Sequence, residues 1–139
     1  MVQFTSATVR WIGDDTYVAY DDKGHSVLID AASNDSRVAL RPTQLLMAAV
    51  GSCSAVDVVN ILKKMKKELI SLKVMVTGER EEGFPTYFNT IKVKYILHGK
   101  GITKEDAERA IKLSQEKYCS VSLTLAGKAK IDWEYEIIE

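Results

Sequence analysis

The segment that most constrains the fold is a long run of small and apolar residues, PTQLLMAAVGSCSAVDVVNILKKM, at positions 42–65. Pro42 suits the first turn of a helix, because the amide hydrogen that proline lacks has no partner there. The first turns are apolar or small on every side, which is typical of a helix enclosed by protein. The last turns become amphipathic and basic, which predicts a solvated end. We therefore expect one central helix over residues 42–67.

Short segments with strand character lie on both sides of this helix. Alternation in TYFNTIKVKYILHG predicts one buried face, and Thr103 followed by two acidic residues predicts the cap of a second helix. The predicted strands are 4–11, 16–21, 25–31, 70–81, 86–99 and 128–138, and the second helix is 103–118. The order βββ-α-ββ-α-β indicates an α+β fold, with antiparallel sheets around the long helix, in a single domain over residues 1–139.

Composition excludes several classes of protein. The 19 basic side chains balance the 19 acidic ones, which gives no sign of a nucleic-acid partner. We expect no stretch to reach the roughly 18 apolar residues of a membrane-spanning helix, and the N-terminus lacks a leader pattern. We expect a soluble, cytoplasmic protein without a membrane partner. There is no CxxC pair and no Cys/His cluster at ligand spacing, so neither a metal nor a cofactor is predicted.

The two cysteines allow two interpretations when read from the residues alone. Cys53 is either a packing atom in a buried helix or a reactive thiol. It lies about three turns into the helix, where the N-terminal dipole does little to lower a thiol pKa, so a thiolate there needs a basic partner from elsewhere. Cys119 is either a small residue between a helix and a buried strand or part of the same chemistry. Two cysteines in a cytosolic chain of this size are not a disulfide scaffold.

The segment PTQLLMAAVGSCSAVDVV, followed by KYCSVSLTL, resembles the OsmC/Ohr family of organic-hydroperoxide reductases, and in particular its OsmC-like subgroup. The resemblance covers nearly the whole chain. It implies that Cys53 is the nucleophile and that Cys119, in a Cys-x-x-Ser segment with Ser122, is the second thiol. It also implies an intertwined homodimer, no bound cofactor or metal, and an external dithiol reductant. The thiolate attacks the O–O bond, becomes a sulfenic acid and condenses with the second thiol.

The sequence departs from the family pattern at the start of the helix. Family members place a glutamate directly after the helix-starting proline or one residue later, where it orients an arginine onto the reacting sulfur. Here these positions hold Thr43 and Gln44. Arg37 and Arg41 are the preferred candidates for the arginine, ahead of Arg10, because the loop entering the helix is able to fold toward Cys53. Gln44 keeps the hydrogen-bonding capacity to position a guanidinium, without the charge.

Other polar residues near the cysteines have weaker signals. Asp57 lies one helical turn after Cys53, and it either points out, bonds to a neighbouring element or shapes the site. A carboxylate beside a thiolate raises the thiol pKa, so Asp57 is not expected to activate Cys53. His25 and His98 stand at strand ends, where exposure without a role is expected. Leu46, Met47 and Val50 are hypothesised to favour hydrophobic peroxides.

The sequence thus predicts a thiol-dependent peroxidase that reduces organic hydroperoxides through Cys53 and Cys119. The alternative is a non-enzymatic or regulatory dimer of the same fold that binds a small apolar ligand, which the missing glutamate favours. In a third interpretation the protein is a structural dimer in which both cysteines have only a packing role.

Overall fold

The computed structural model describes residues 1–83 and 85–139, which form two compact units, residues 1–46 and 47–139. The connection between the predicted strands 70–81 and 86–99 includes Phe84, which lies outside the described residues. The expectation of a single domain stays a prediction.

The first unit contains an antiparallel sheet of three strands in the order β1-β2-β3. The strands are β1 (Thr8–Gly13), β2 (Thr16–Tyr20) and β3 (Ser26–Asp30). β1 begins four residues later than predicted and ends in a tight turn, for which Gly13 and Asp14 adopt positive φ values of 116° and 46°. This sheet covers little of its own apolar surface, since Val9, Trp11 and Ile12 are all more than half exposed.

The long helix α1 spans Pro42–Lys64 and so confirms the predicted element to within three residues. It ends in a left-handed residue, Lys66 with φ 58°, and the amides of Lys66 and Lys67 donate to the carbonyls of Lys63 and Leu62. That is the bonding pattern of a helix C-cap. The basic end is solvated, as predicted.

The prediction that the first turns of α1 are enclosed is wrong for this chain. Residues 42–49 are exposed or half-buried, and buried positions begin only at Val50. The expectation about apolar length was also wrong, because α1 is long and apolar enough to cross a membrane, with a mean hydropathy of 1.9 over 18 residues. Length and composition alone are weak evidence that α1 spans a membrane, since the core helices of soluble proteins meet the same criteria.

The second unit packs the remainder of α1 and three further helical segments against a second sheet. The strands are β4 (Glu68–Arg80), β5 (Phe88–Lys100) and β6 (Lys130–Ile138). The helical segments are α2 (Lys104–Leu113), a π turn (Ser114–Tyr118) and α3 (Ser120–Leu125). The core joins the predicted inner face of β5 to one side of α1 and α2; it includes Val58, Leu62, Ile91, Val93, Tyr95, Leu97, Ala107, Ala110 and Ile111.

Two expectations about this unit need correction. β6 pairs with β5 in parallel, in the register Thr90↔Lys130, so the second sheet is mixed and not antiparallel. Parallel neighbours need a long crossover, which the helical segments between β5 and β6 provide. The segment after Cys119 is a short helix where a strand was expected. Thr103 caps α2 as predicted, in a capping box with Asp106.

Candidate active site

The two cysteines meet in the second unit. Cys53 lies on α1 and is half-buried, whereas Cys119 lies between the π turn and α3 and is fully buried. Both are free thiols, and Cys53 lies close enough to Cys119 to raise the pKa of that thiol. Distant parts of the sequence thus bring two reduced sulfurs near each other, and a disulfide needs that proximity.

The surroundings of Cys119 favour the protonated thiol. Burial is the largest influence and raises the pKa of Cys119, and the neighbouring Cys53 raises it further. The side chain and backbone amide of Ser122 lower the pKa, but by less than burial raises it. Ser122 of the Cys-x-x-Ser segment therefore contacts the sulfur directly, with its amide nitrogen 3.4 Å from Sγ.

The backbone around Cys119 has an uncommon geometry. The Cys119 amide donates to the Ser114 carbonyl at 2.7 Å, which closes a π turn instead of continuing α2. Cys119 then caps α3 through its own sulfur. Single π turns inside helices are frequent at functional sites, and here one changes the direction of the chain just before the second thiol.

A buried chain of polar side chains lies beside the cysteine pair and was missed in the sequence. We call it the inner hydroxyl chain; it consists of Ser54, Asp57, Tyr95, Ser114 and Gln115. Ser54 Oγ lies 2.6 Å from Tyr95 Oη and 2.8 Å from Ser114 Oγ. Gln115 Nε2 donates to Tyr95 Oη at 2.6 Å, and Ser114 Oγ donates to Asp57 Oδ2 at 2.9 Å. Ser54, Tyr95 and Ser114 have no exposed surface.

Asp57 therefore bonds to a neighbouring element, one of the three roles that the sequence left open. It is half-buried and also lines an open cavity of about 630 Å³. Burial is the main cause of a raised pKa at Tyr95, and the charges of Cys119 and Asp57 raise it further. The phenol and the Cys119 thiol are thus electrostatic neighbours.

In the first unit, a second polar group surrounds the loop that enters α1. We call it the loop cluster; it consists of Asp30, Arg37, Arg41 and Gln44. Gln44 Oε1 accepts from Arg37 Nη1 and from the Arg41 backbone amide, each at 2.9 Å. Gln44 thus holds a guanidinium, as the sequence suggested it was able to do. Arg10 lies apart from this cluster, exposed on β1.

Asp30 was missed as an organising residue. Its carboxylate accepts from the Ala32 amide at 2.8 Å and from the Val38 amide at 2.9 Å, and only 4% of the residue is exposed. These bonds, that of Val38 first, together with the charges of Arg37 and Arg41, hold the pKa of Asp30 below its ordinary value of 3.8. The only available sequence signal was an aspartate at the end of an apolar strand, before a polar loop.

The histidines belong to neither group. His25 is exposed and bonds to Asp21 at 2.7 Å, and His98 is half-buried on β5. Within residues 1–83 and 85–139, no three His, Cys, Asp or Glu side chains come together as a metal site.

Comparisons with known proteins place this arrangement in a family. The family model described as OsmC-like protein matches residues 33–134. Protein YhfA of Escherichia coli K12 is 36% identical over 132 residues, which cover 95% of this chain and 97% of YhfA. A crystal structure of a hypothetical protein from Aquifex aeolicus is 31% identical, with a TM-score of 0.84 over 99% of this chain and all of that one.

A more distant structure has the same fold. The organic hydroperoxide resistance protein OhrB of Bacillus subtilis is 17% identical, with a TM-score of 0.66, over 95% of this chain and 98% of that one. At that identity the likeness shows only the fold. The family match and the identity to YhfA carry the assignment: the chain belongs to the OsmC-like protein family.

Proposed function

We propose that the protein is a thiol-dependent reductase of organic hydroperoxides in which Cys53 and Cys119 form the redox pair. The observation that carries the proposal is the proximity of two free thiols, one half-buried and one fully buried, on segments that the Ser54–Ser114 hydrogen bond joins. The more accessible sulfur is the natural site of attack on a substrate. The buried one, kept protonated by its surroundings, is suited to react second.

The proposed reaction has three steps. The Cys53 thiolate attacks one peroxide oxygen, the O–O bond breaks, and the leaving alkoxide takes a proton and departs as an alcohol, so that sulfur becomes a sulfenic acid. Cys119 then attacks the Cys53 sulfur, which forms the disulfide and releases water. An external dithiol reduces the disulfide by exchange and is itself oxidised. We propose that no bound cofactor or metal takes part and that the protein works in the cytoplasm.

The comparisons support this proposal through the fold alone. The Bacillus subtilis structure is that of an organic hydroperoxide resistance protein. We propose that Arg37, held by Gln44, takes the part that the resemblance gives to the family's arginine. Gln44 supplies the acceptor oxygen that a glutamate supplies elsewhere, with less electrostatic attraction for the guanidinium.

We further propose that the protein acts as a homodimer. The first sheet leaves large apolar side chains uncovered; they include Val9, Trp11, Ile12, Val27 and Leu28. Apolar surface of this extent is typical of a protein interface. A second copy that covers it predicts a dimer of about twice 15.5 kDa in light scattering. A monomer at micromolar concentration would contradict this part of the proposal.

One experiment tests the chemistry. The reduced protein is treated with one equivalent of cumene hydroperoxide, and intact mass and free thiols are followed. We expect a disulfide between Cys53 and Cys119 in the wild type, no oxidation in Cys53→Ser, and in Cys119→Ser a sulfenic acid that dimedone traps. A wild-type protein that keeps both thiols would contradict the peroxidase.

The regulatory alternative remains a second candidate because Gln44 replaces a charged residue at the helix start. It predicts that the disulfide forms under oxidising conditions without sustained consumption of peroxide in the presence of dithiothreitol. Steady turnover under those conditions would exclude it.

A further inference from the structure

The inner hydroxyl chain connects the segments that carry the two cysteines. Ser54 follows Cys53 on α1, and Ser114 and Gln115 belong to the π turn that ends at Cys119. Ser54 Oγ bonds to both of these π-turn residues: it lies 2.8 Å from Ser114 Oγ, and it accepts from Gln115 Nε2 at 3.3 Å. The Ser114 carbonyl also accepts a hydrogen bond from the Cys119 amide. The inner hydroxyl chain thus connects the backbone beside Cys53 to the backbone beside Cys119 through hydrogen bonds.

Its geometry allows one direction for the protons. Asp57 accepts from Ser114, so the single hydroxyl proton of Ser114 is used there. Ser114 Oγ must then accept the proton of Ser54, and Ser54 Oγ in turn accepts that of Tyr95. Gln115 is the last member of this series of hydrogen bonds and donates to the phenol oxygen of Tyr95. Since each hydroxyl has only one proton to donate, the carboxylate of Asp57 fixes the direction of every hydroxyl–hydroxyl bond in the inner hydroxyl chain.

We infer that the inner hydroxyl chain positions the π turn, and with it Cys119, against Cys53, and so determines how stable the disulfide between them is. The inference rests on the proposed redox pair and adds a role for residues outside it. Thiols that are already held in contact lose little conformational freedom when they join, so disulfide formation is favoured. Loosening the π turn lowers the effective concentration of one thiol at the other. These are positioning residues, because they act on Cys119 through the π turn.

The test measures the disulfide without any peroxide. Wild type, Ser114→Ala and Tyr95→Phe are equilibrated in mixtures of reduced and oxidised dithiothreitol, and the fraction with a Cys53–Cys119 disulfide is measured by mass. We expect Ser114→Ala, which removes two hydrogen bonds, to lower the equilibrium constant about tenfold, equivalent to a potential about 30 mV more oxidising. Tyr95→Phe is expected to lower it by roughly threefold, because the Ser54–Ser114 bond survives.

Matched controls separate position from general effects of substitution. Ser52, the residue before Cys53, is exposed. The Tyr135 hydroxyl donates to Glu108, and neither residue belongs to the inner hydroxyl chain. Ser52→Ala and Tyr135→Phe are expected to keep the wild-type equilibrium constant. The inference would be overturned if Ser114→Ala and Tyr95→Phe kept the wild-type equilibrium constant for the disulfide while circular dichroism showed that both variants fold natively.

Asp57 offers a variant that is safer for folding, since it is only half-buried. Asp57→Ala frees the hydroxyl of Ser114 and is expected to lower the constant roughly threefold, whereas Asp57→Asn keeps an acceptor oxygen and is expected to restore it. Equal losses in both variants would overturn a role based on hydrogen bonding. A wild type that forms the disulfide in dithiothreitol yet leaves cumene hydroperoxide intact would refute the proposed function, while the inference would still be decided by the variants.

Discussion

The loop cluster around Asp30 and the inner hydroxyl chain around Ser54 both hold backbone in place, but they do so with different chemistry. The loop cluster uses a carboxylate and guanidinium groups, with Gln44 exposed to solvent. The inner chain uses neutral hydroxyls that are fully buried, and its one charged group lies at the half-buried end. Charged groups near water are sensitive to pH and salt, whereas a buried neutral chain depends on every member being satisfied.

The largest expected effect comes from removing the centre of the inner chain. Ser54→Ala leaves the Tyr95 hydroxyl without its acceptor and Ser114 without its donor, both with no exposed surface. We expect the free energy of unfolding to fall by about 2 kcal/mol, because unsatisfied buried polar groups are costly. Urea denaturation with an unchanged m-value measures this.

Ser52→Ala is the control for that experiment. Its hydroxyl is exposed and bonds weakly to the Ala49 carbonyl at 3.4 Å. A change within about 0.5 kcal/mol is expected. Equal losses in the two variants would show that the buried hydroxyl chain contributes no more to stability than a surface serine.

A substitution in the loop cluster is expected to change hydrogen exchange only at nearby amides and not throughout the protein. Asp30→Asn leaves one acceptor oxygen where the carboxylate offers two, so the Ala32 or the Val38 amide loses its partner. We expect roughly tenfold faster hydrogen exchange at one of these amides, in keeping with the loss of a hydrogen bond to a charged group. Exchange in β5, on the other unit, should not change. Faster exchange throughout the chain would contradict a local role.

Acidification should reproduce that effect in the wild type. The pKa of Asp30 is lowered in the folded protein, mainly by the Val38 and Ala32 amides. Its contribution to stability is therefore complete above the ordinary value of 3.8 and is lost as the pH falls through the lower folded value. Hydrogen exchange at Val38 should accelerate only below that pH in the wild type. In Asp30→Asn, exchange corrected for its intrinsic pH dependence should stay level, and a parallel acid response would contradict the assignment.

The same contrast explains what the sequence was able to predict. Pro42 and the apolar run locate α1, alternation locates the inner face of β5, and Thr103 marks the start of α2, because each signal is local. Ser54 bonds to Tyr95 and Ser114 across 41 and 60 positions, and no periodic pattern marks such pairs. The π turn and the parallel pairing of β6 likewise depend on tertiary packing. The two cysteines were found through resemblance, since burial alone favoured inert packing.

The smallest expected effect concerns Gln44, the residue where this chain departs from the family pattern. Gln44→Glu places a carboxylate against Arg37 and keeps the acceptor for the Arg41 amide, so a hydrogen bond with one charged partner becomes an ion pair. If Arg37 serves the peroxide step, the rate of the first oxidation of Cys53 should rise roughly threefold, since an exposed ion pair contributes about 0.2–1 kcal/mol. Gln44→Ala should slow it by a similar factor, and stopped-flow measurement with cumene hydroperoxide distinguishes the two. Exposed charge pairs weaken in salt, so the gain in Gln44→Glu should shrink at high ionic strength while the wild-type rate changes less. Equal rates in wild type, Gln44→Glu and Gln44→Ala would remove Arg37 from the proposed mechanism and leave the thiol pair without an assigned cation.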